Sequence, residues 1–408
     1  MRILHIMASR GLGGAETYAT DIMLSLHEKG VDQCVVMAAD APRYGEIVEA
    51  GIRTAPEVLG HNLFKQDHPP LAGGSKSLCD FGEGSKETPS PAKTKALRCN
   101  AKFLLPLPQG ERDSFCLEGF LTPHFRFFQR RALRRVLERE KPDLVHCWMR
   151  RAASLMPREY REKTIGFFGG YYDPRHFKSC GHFVGVTKDI TDHMVKNGVP
   201  RERAHFVPTF PDVKDEAPVD RATLNTPQDA FVVLALSRLH PKKGLDTLLL
   251  AAQKLPGVVV WLAGEGPLRG DLERLAKELG VADRTRFLGW RTDRGALLRA
   301  ADVCALPSRY EPFGTVILEA WAAGTPFVAC KSAGPAAHVD NERNGLLVDI
   351  DDVEGLATAL ARVRDDADLR RRLIAEGYAT YVGGYTRDAV TAQMMGLYEG
   401  VLGARHEG

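Results

Sequence analysis

Short apolar runs separated by amphipathic stretches recur along almost the whole chain, and that alternation is the pattern of parallel sheets covered by helices. In the first half, strand-like runs fall at 3–8, 33–38, 144–147, 164–168 and 182–186. A helix spans 15–29 and stops at Gly30, where a C-terminal glycine belongs. The second half alternates more cleanly, with strands at 231–237, 258–263, 285–288, 303–306 and 327–329. Helices fill the gaps at 244–255, 267–279, 293–301 and 315–323, and a last one over 387–402 follows a break at Gly383-Gly384. The 408 residues exceed one ordinary core. The stretch 208–228, rich in proline, aspartate and threonine, is the natural linker. The expected division is therefore 1–208, a linker at 209–228, 229–384, and a C-terminal helix in 385–408 that can pack back on the first unit.

One stretch breaks the alternation. Residues 65–113 hold six prolines and five glycines with almost no periodicity, too long for an ordinary loop. Pieces of it resemble translated bacterial palindromic repeats, and by composition it reads as an inserted, disordered passenger; an acceptor-binding loop is the alternative. The net charge of +3 gives no reason to expect nucleic acid. The eight cysteines form no C-x-x-C pair, so neither a disulfide framework nor a zinc site is expected, and a cytoplasmic setting fits. The first apolar run is too short for a signal peptide. Nowhere do about 18 apolar residues run uninterrupted, so membrane contact would be peripheral.

Three motifs carry chemistry. Gly11-Leu12-Gly13-Gly14-Ala15-Glu16 follows the first strand and opens a helix, an arrangement that lets backbone N–H groups meet an anion. A dinucleotide fingerprint would have glycine at Glu16, where a carboxylate repels a pyrophosphate; this weakens a dehydrogenase reading. Ser237-Arg238-Leu239 ends a strand, and Lys242-Lys243-Gly244 opens the next helix. Arg238 and Lys243 thus stand at the carboxyl edge of a sheet, where open α/β folds bind ligands, and two cations there suit a diphosphate. Glu311-Pro312-Phe313-Gly314-Thr315-Val316-Ile317-Leu318-Glu319 places a turn before a helix whose N-terminal N–H groups form a phosphate site. Carboxylates at Glu311 and Glu319 suit sugar and ribose hydroxyls, which are donors.

With these motifs the chain resembles the retaining glycosyltransferases of family four, with Glu311 and Glu319 as their E-x7-E signature. Gly13-Gly14, Arg238 with Lys243-Gly244, Gly264-Glu265-Gly266-Pro267, Phe287-Leu288-Gly289, Ser332-Ala333-Gly334-Pro335 and Asn344-Gly345-Leu346-Leu347-Val348 follow in the family's order. The resemblance implies an α/β fold of GT-B type, two facing Rossmann-like domains with a cleft between them. The first domain would take the acceptor, the second a nucleotide-diphosphate sugar. Arg238, Lys243 and Glu311 would be catalytic: the cations hold the leaving diphosphate, and Glu311 contacts the transferred sugar beside Phe313, Gly314, Thr315 and Val316. Glu319 would bind ribose, and Gly13, Gly14, Gly264, Gly266 and Gly289 would border the donor. No metal or other cofactor is implied. The expected function is transfer to a cell-envelope glycan or lipopolysaccharide-type acceptor. A sugar-nucleotide epimerase of the same fold and an inactive nucleotide-sugar-binding protein stay open.

Two departures from the family stand out. Gly334 is followed by Pro335-Ala336-Ala337 where many relatives carry a glutamate. The strand end Thr164-Ile165-Gly166-Phe167-Phe168 lacks the family's histidine, for which His146 is a candidate substitute. His146, Tyr171 and Tyr172 are the candidate acceptor contacts. Residues 120–139 interleave six arginines with Phe120, Phe125, Phe127 and Phe128 and suit either an anionic membrane surface or an ordinary solvated helix. The acidic run Asp349-Ile350-Asp351-Asp352 reads as a helix cap rather than a metal site.

Overall fold

A computed structural model of the chain describes residues 1–9, 14–59, 123–211 and 213–403. The expected passenger at 65–113 and Gly13 lie outside them. Two sheets form. The first carries β1 (Arg2–Met7), β2 (Asp32–Met37), β3 (Arg53–Thr54), β4 (Leu144–Cys147), β5 (Thr164–Phe168), β6 (His182–Gly185) and β7 (Ala204–Phe206), in the order β3-β2-β1-β4-β5-β6-β7. Its helices are α1 (Gly14–Glu28), α2 (Tyr44–Glu49), α3 (Pro123–Glu140), α4 (Arg150–Leu155) and α5 (Lys188–Lys196).

The second sheet carries β8 (Phe231–Leu236), β9 (Val258–Ala263), β10 (Thr285–Gly289), β11 (Val303–Leu306), β12 (Phe327–Cys330) and β13 (Leu346–Val348), in the order β10-β9-β8-β11-β12-β13. Its helices are α6 (Leu245–Gln253), α7 (Arg269–Glu278), α8 (Arg294–Ala300), α9 (Thr315–Ala322), α10 (Ala333–His338), α11 (Val353–Asp365) and α12 (Ala367–Gly384). Every strand pair is parallel. This is the doubly wound, Rossmann-like arrangement, with a reversal of strand order between β1 and β4 and again between β8 and β11. Central strands such as β9, with all six residues buried, read as continuous apolar runs because helices cover both faces.

The short edge strands β3, β7 and β13 are the ones sequence reading passed over, since two or three residues are too few to show a period. The break near the C-terminus also differs. Gly383 and Gly384 are the last residues of α12, and the chain turns at Tyr385, after which Thr386 Oγ1 accepts from the Ala389 amide at 3.2 Å and opens α13 (Arg387–Gly403). An N-capping threonine, not the glycine pair, sets that boundary. Helix α13 lies against the first unit: Thr391 Oγ1 is 2.7 Å from Ser25 Oγ, and Arg387 and Asp388 pair with Glu28 and Lys29. Among the described residues, no helix is long and apolar enough to cross a membrane.

Candidate active site

Because β8 and β11 are neighbours at the reversal point, the loops leaving their carboxyl ends enclose one crevice. Arg238 follows β8 and is exposed. The next turn, Pro241–Lys243, is capped by His240, whose Nδ1 accepts from the Lys242 amide at 3.2 Å. Gly244 then takes φ +61°, and a Cβ there would lie 2.1 Å from the Pro307 carbonyl oxygen, so only glycine lets the two loops touch. They are tied further by the Arg309 and Tyr310 amides, which donate to the Lys242 carbonyl at 2.9 and 3.2 Å. Beneath them Arg309 is buried, its guanidinium shared between Asp246 at 2.7 and 2.9 Å, Asp351 at 2.7 Å and the Pro241 carbonyl at 2.8 Å. The product of this scaffold is a contact between Lys243 Nζ and Glu311 Oε2 at 2.5 Å.

The loop from Glu311 leads through Gly314 into α9. The N–H groups of Phe313, Gly314, Thr315 and Val316 have no backbone partner among the described residues and gather at the helix start. Gly334 supports this turn from below: its amide donates to the Glu311 carbonyl at 2.7 Å, and a Cβ would stand 2.2 Å from the Phe313 carbonyl oxygen. The Phe313 ring meets His338 edge-on at 4.5 Å, and His338 Nδ1 is 3.2 Å from Tyr385 Oη. Glu319, one turn inside α9, is 2% exposed and receives Arg294 Nη1 at 2.6 Å. Gly264 and Gly289 form a bridge beside this edge, and the Leu239 amide donates to the Glu265 carbonyl at 3.0 Å, which sets Gly266 alongside. Arg238, Lys243, Glu311, Phe313 to Val316, Glu319 and the glycines 264, 266 and 289 thus share one sheet edge.

Sequence reading missed Arg294, Arg309 and Asp246. Arg309 stands two residues before the noted turn, but nothing local tells a buried arginine from a solvated one. The acidic run divides its work. Asp352 caps α11 through the Gly355 amide, Asp351 holds Arg309, and Asp349 pairs with Lys331. No cluster suited to a metal appears among the described residues.

On the first unit, Gly14 opens α1 and is exposed, and Glu16 accepts from Ser9 Oγ at 2.6 Å. Tyr171 and Tyr172 follow β5. The Tyr171 pKa is raised by burial, then by its bond to Asp189 and its charge, and then by Tyr310, the residue before Glu311. Both loops leave the carboxyl edges of their sheets, and Tyr310 lies near enough to the Tyr171 phenol to act on it. The His146 ring is fully buried, stacked on Trp148 at 4.0 Å, with Nδ1 2.8 Å from Tyr398 Oη on α13. Burial also holds its pKa well below the ordinary histidine value. His146 is core, and its expected contact with an acceptor is corrected. Helix α3 runs back to β4, so its first turns stand at the carboxyl edge; Arg130 there donates to the Ser154 carbonyl at 2.8 Å. Phe127 and Phe128 are 62% and 64% exposed.

Comparison with known proteins gives a consistent set. Residues 216–380 match the glycosyl transferases group 1 family. The chain is 40% identical over 260 residues to the lipopolysaccharide core biosynthesis glycosyltransferase LpsE of Rhizobium meliloti, covering 64% of this chain and 76% of LpsE. To LpsD of the same organism, also a lipopolysaccharide core biosynthesis glycosyltransferase, it is 35% identical over 277 residues, 67% of this chain and 80% of LpsD. HepE of Anabaena, in a structure with UDP, superposes with a TM-score of 0.72 over 98% of this chain and 100% of its own, at 19% identity. That last likeness speaks to the fold.

Proposed function

The chain belongs to the glycosyl transferases group 1 family, a family of glycosyltransferases, and from that premise we propose that it moves a hexose-type sugar, with retention, from a nucleoside diphosphate to a lipopolysaccharide-core glycan. The observation that carries the reading is the Lys243–Glu311 contact beside Arg238 and the free N–H groups at the start of α9. Departure of a diphosphate from an anomeric carbon is chiefly a charge problem. Preorganised cations and helix N–H groups answer it without reorganising during the reaction. Arg238 and Lys243 hold the leaving diphosphate in this account, Glu311 a sugar hydroxyl, and Glu319 the ribose; no metal is required. The acceptor hydroxyl attacks from the side on which the diphosphate leaves, and a diphosphate oxygen takes its proton. Tyr171 and Tyr172 line the acceptor side.

The names of LpsE and LpsD support the acceptor class and weigh against the epimerase and inactive-protein readings. The exposed Phe127–Phe128 pair, with Arg126, Arg131 and Arg135 exposed on the same helix, suits the cytoplasmic face of an anionic membrane, where a glycolipid acceptor would sit. The test is transfer from a panel of nucleotide-sugars, uridine donors first because HepE holds UDP, to lipopolysaccharide from Rhizobium meliloti lacking LpsE. A product with the donor's anomeric configuration supports the reading. Donor isomerised without acceptor, or a trapped glycosyl-enzyme adduct, overturns the transfer or the mechanism respectively.

A further inference from the structure

The loop after β5 is gripped by helix α5. Tyr171 Oη donates to the Asp189 carboxylate, and His193 Nε2, one turn further along, is 3.1 Å from the Tyr172 carbonyl. The His193 ring also meets the Tyr171 ring edge-on at 5.4 Å. Thr187 caps α5 by accepting from the Ile190 amide at 3.0 Å, which fixes Asp189 in the first turn, where the helix dipole favours an anion. Helix α5 follows β6, so Asp189 stands at the carboxyl edge of the first sheet and is exposed. Tyr310, beside Glu311, bears on the Tyr171 phenol from the opposite unit. An ordered, exposed carboxylate therefore stands at the carboxyl edge of the first sheet, bonded to a phenol that Tyr310 of the other unit influences.

The hydrogen-bonding capacity of this pair is one-sided. The phenol has committed its single proton to Asp189, leaving lone pairs on oxygen, and a carboxylate carries no donor. The pair accepts and does not give. It repels a diphosphate, for which Arg238 and Lys243 are available on the other unit, and it fits a hydroxyl. In a transfer reaction the hydroxyl that has to be held at this edge is the acceptor's.

We propose that Asp189, oriented by Tyr171, binds the attacking hydroxyl of the acceptor, and that the reacting end of the acceptor is accordingly a neutral polyhydroxyl sugar. This rests on the glycosyl-transfer reading and adds the group that aims the nucleophile. The hydroxyl oxygen bonds to the anomeric carbon as the bond from that carbon to the diphosphate breaks. The hydroxyl proton goes to the departing diphosphate, and Asp189 aims the hydroxyl without retaining its proton.

The test uses the full chain, Asp189→Asn, Tyr171→Phe, and Asp173→Asn as a control in the same loop, whose carboxylate is paired with exposed Arg175. The donor is whichever nucleotide-sugar stabilises the wild type most, and release of nucleoside diphosphate is followed with water as acceptor and with the LpsE-deficient lipopolysaccharide. Asp189→Asn is expected to lower release at least ~10-fold with both acceptors, as loss of nucleophile alignment does. Its melting temperature and donor-induced shift should stay within about 1 °C of wild type. Tyr171→Phe is expected to raise the acceptor KM with the donor KM unchanged, and Asp173→Asn to behave as wild type. Wild-type turnover in Asp189→Asn, or loss of donor binding in step with activity, overturns the proposal. Should the wild type hydrolyse donor but leave the rhizobial glycan untouched, the acceptor class falls and the water reaction alone decides Asp189. No donor binding or hydrolysis by the wild type sinks both.

Discussion

Lys243 Nζ lies 2.5 Å from Glu311 Oε2, so the cation that the proposed transfer gives to a phosphate and the carboxylate that it gives to a sugar hydroxyl are paired with each other. In the proposed transfer, a diphosphate that draws the lysine away would release the carboxylate toward the sugar. Lys243→Ala is expected to lower kcat/KM by about 10²–10³, as removing one preorganised charge does. Lys243→Arg should recover only part of it, since a planar fork replaces a point charge. Steady-state kinetics with a fixed acceptor checks both; full activity in Lys243→Ala would remove the lysine from the leaving-group side.

Arg294 and Glu319 form a second pair, with the carboxylate 3% and the guanidinium 39% exposed. Arg294→Ala leaves a buried carboxylate with one charged donor fewer, at a cost of about 1–2 kcal/mol in stability. Nucleotide affinity is expected to fall as well if Glu319 holds the ribose as proposed, because it loses the group that orients it. Urea midpoints and nucleotide titration measure the two effects separately.

Arg309 is costly to truncate. Its side chain and that of Asp246 are 2% and 1% exposed, so Arg309→Ala strands a buried carboxylate and should destabilise by about 3–5 kcal/mol. A double variant, Arg309→Met with Asp246→Leu, removes both charges and should recover much of that loss. It should still bind donor poorly, since the Pro241 carbonyl and Asp351 lose their shared partner.

Gly334→Ala tests the support under the donor turn. The added methyl meets the Phe313 carbonyl at 2.2 Å, a backbone atom that cannot swing aside. The turn has to lift, and overpacking of this kind costs about 1–3 kcal/mol. A protein that folds with a lowered melting temperature and a weakened nucleotide-sugar thermal shift is the expected result; unchanged donor binding would show that the turn is not the sugar site.

His338 supplies a pH signature. Burial lowers its pKa from 6.5 to about 4. Between those values the unfolded chain binds the proton and the folded chain does not, so stability rises with pH there and is lost as pH falls from 6.5 toward 4. His338→Leu should flatten this part of the wild-type profile, as read from urea midpoints across that range. Parallel profiles in the two proteins would remove His338 as a contributor.

Much of this was readable in the chain. Four of the ten expected strands, at 144–147, 164–168, 258–263 and 303–306, carry the observed bounds, because buried parallel strands are uninterrupted apolar runs. Arg238, Lys243, Glu311 and Glu319 stood out by their places after strands and at a helix start. What stayed hidden depended on distant partners. Asp189 and Tyr171 are 18 residues apart, Arg294 and Glu319 25, and Arg309 and Asp246 63. His146 was misread for the same reason: Tyr398, which covers it, is 252 residues further on.

Helix α13 has a consequence for how such a protein can be rebuilt. Thr391 and Tyr398 complete the first unit by closing over Ser25 and His146, although they follow the whole second sheet in sequence. The first unit is thus assembled from two separate stretches of chain. A chimera that grafts a new first unit onto this second unit by one crossover between them would marry α13 to a foreign surface. Recombination has to exchange two segments together, and single-crossover hybrids should be selected against for folding before acceptor specificity is ever tried.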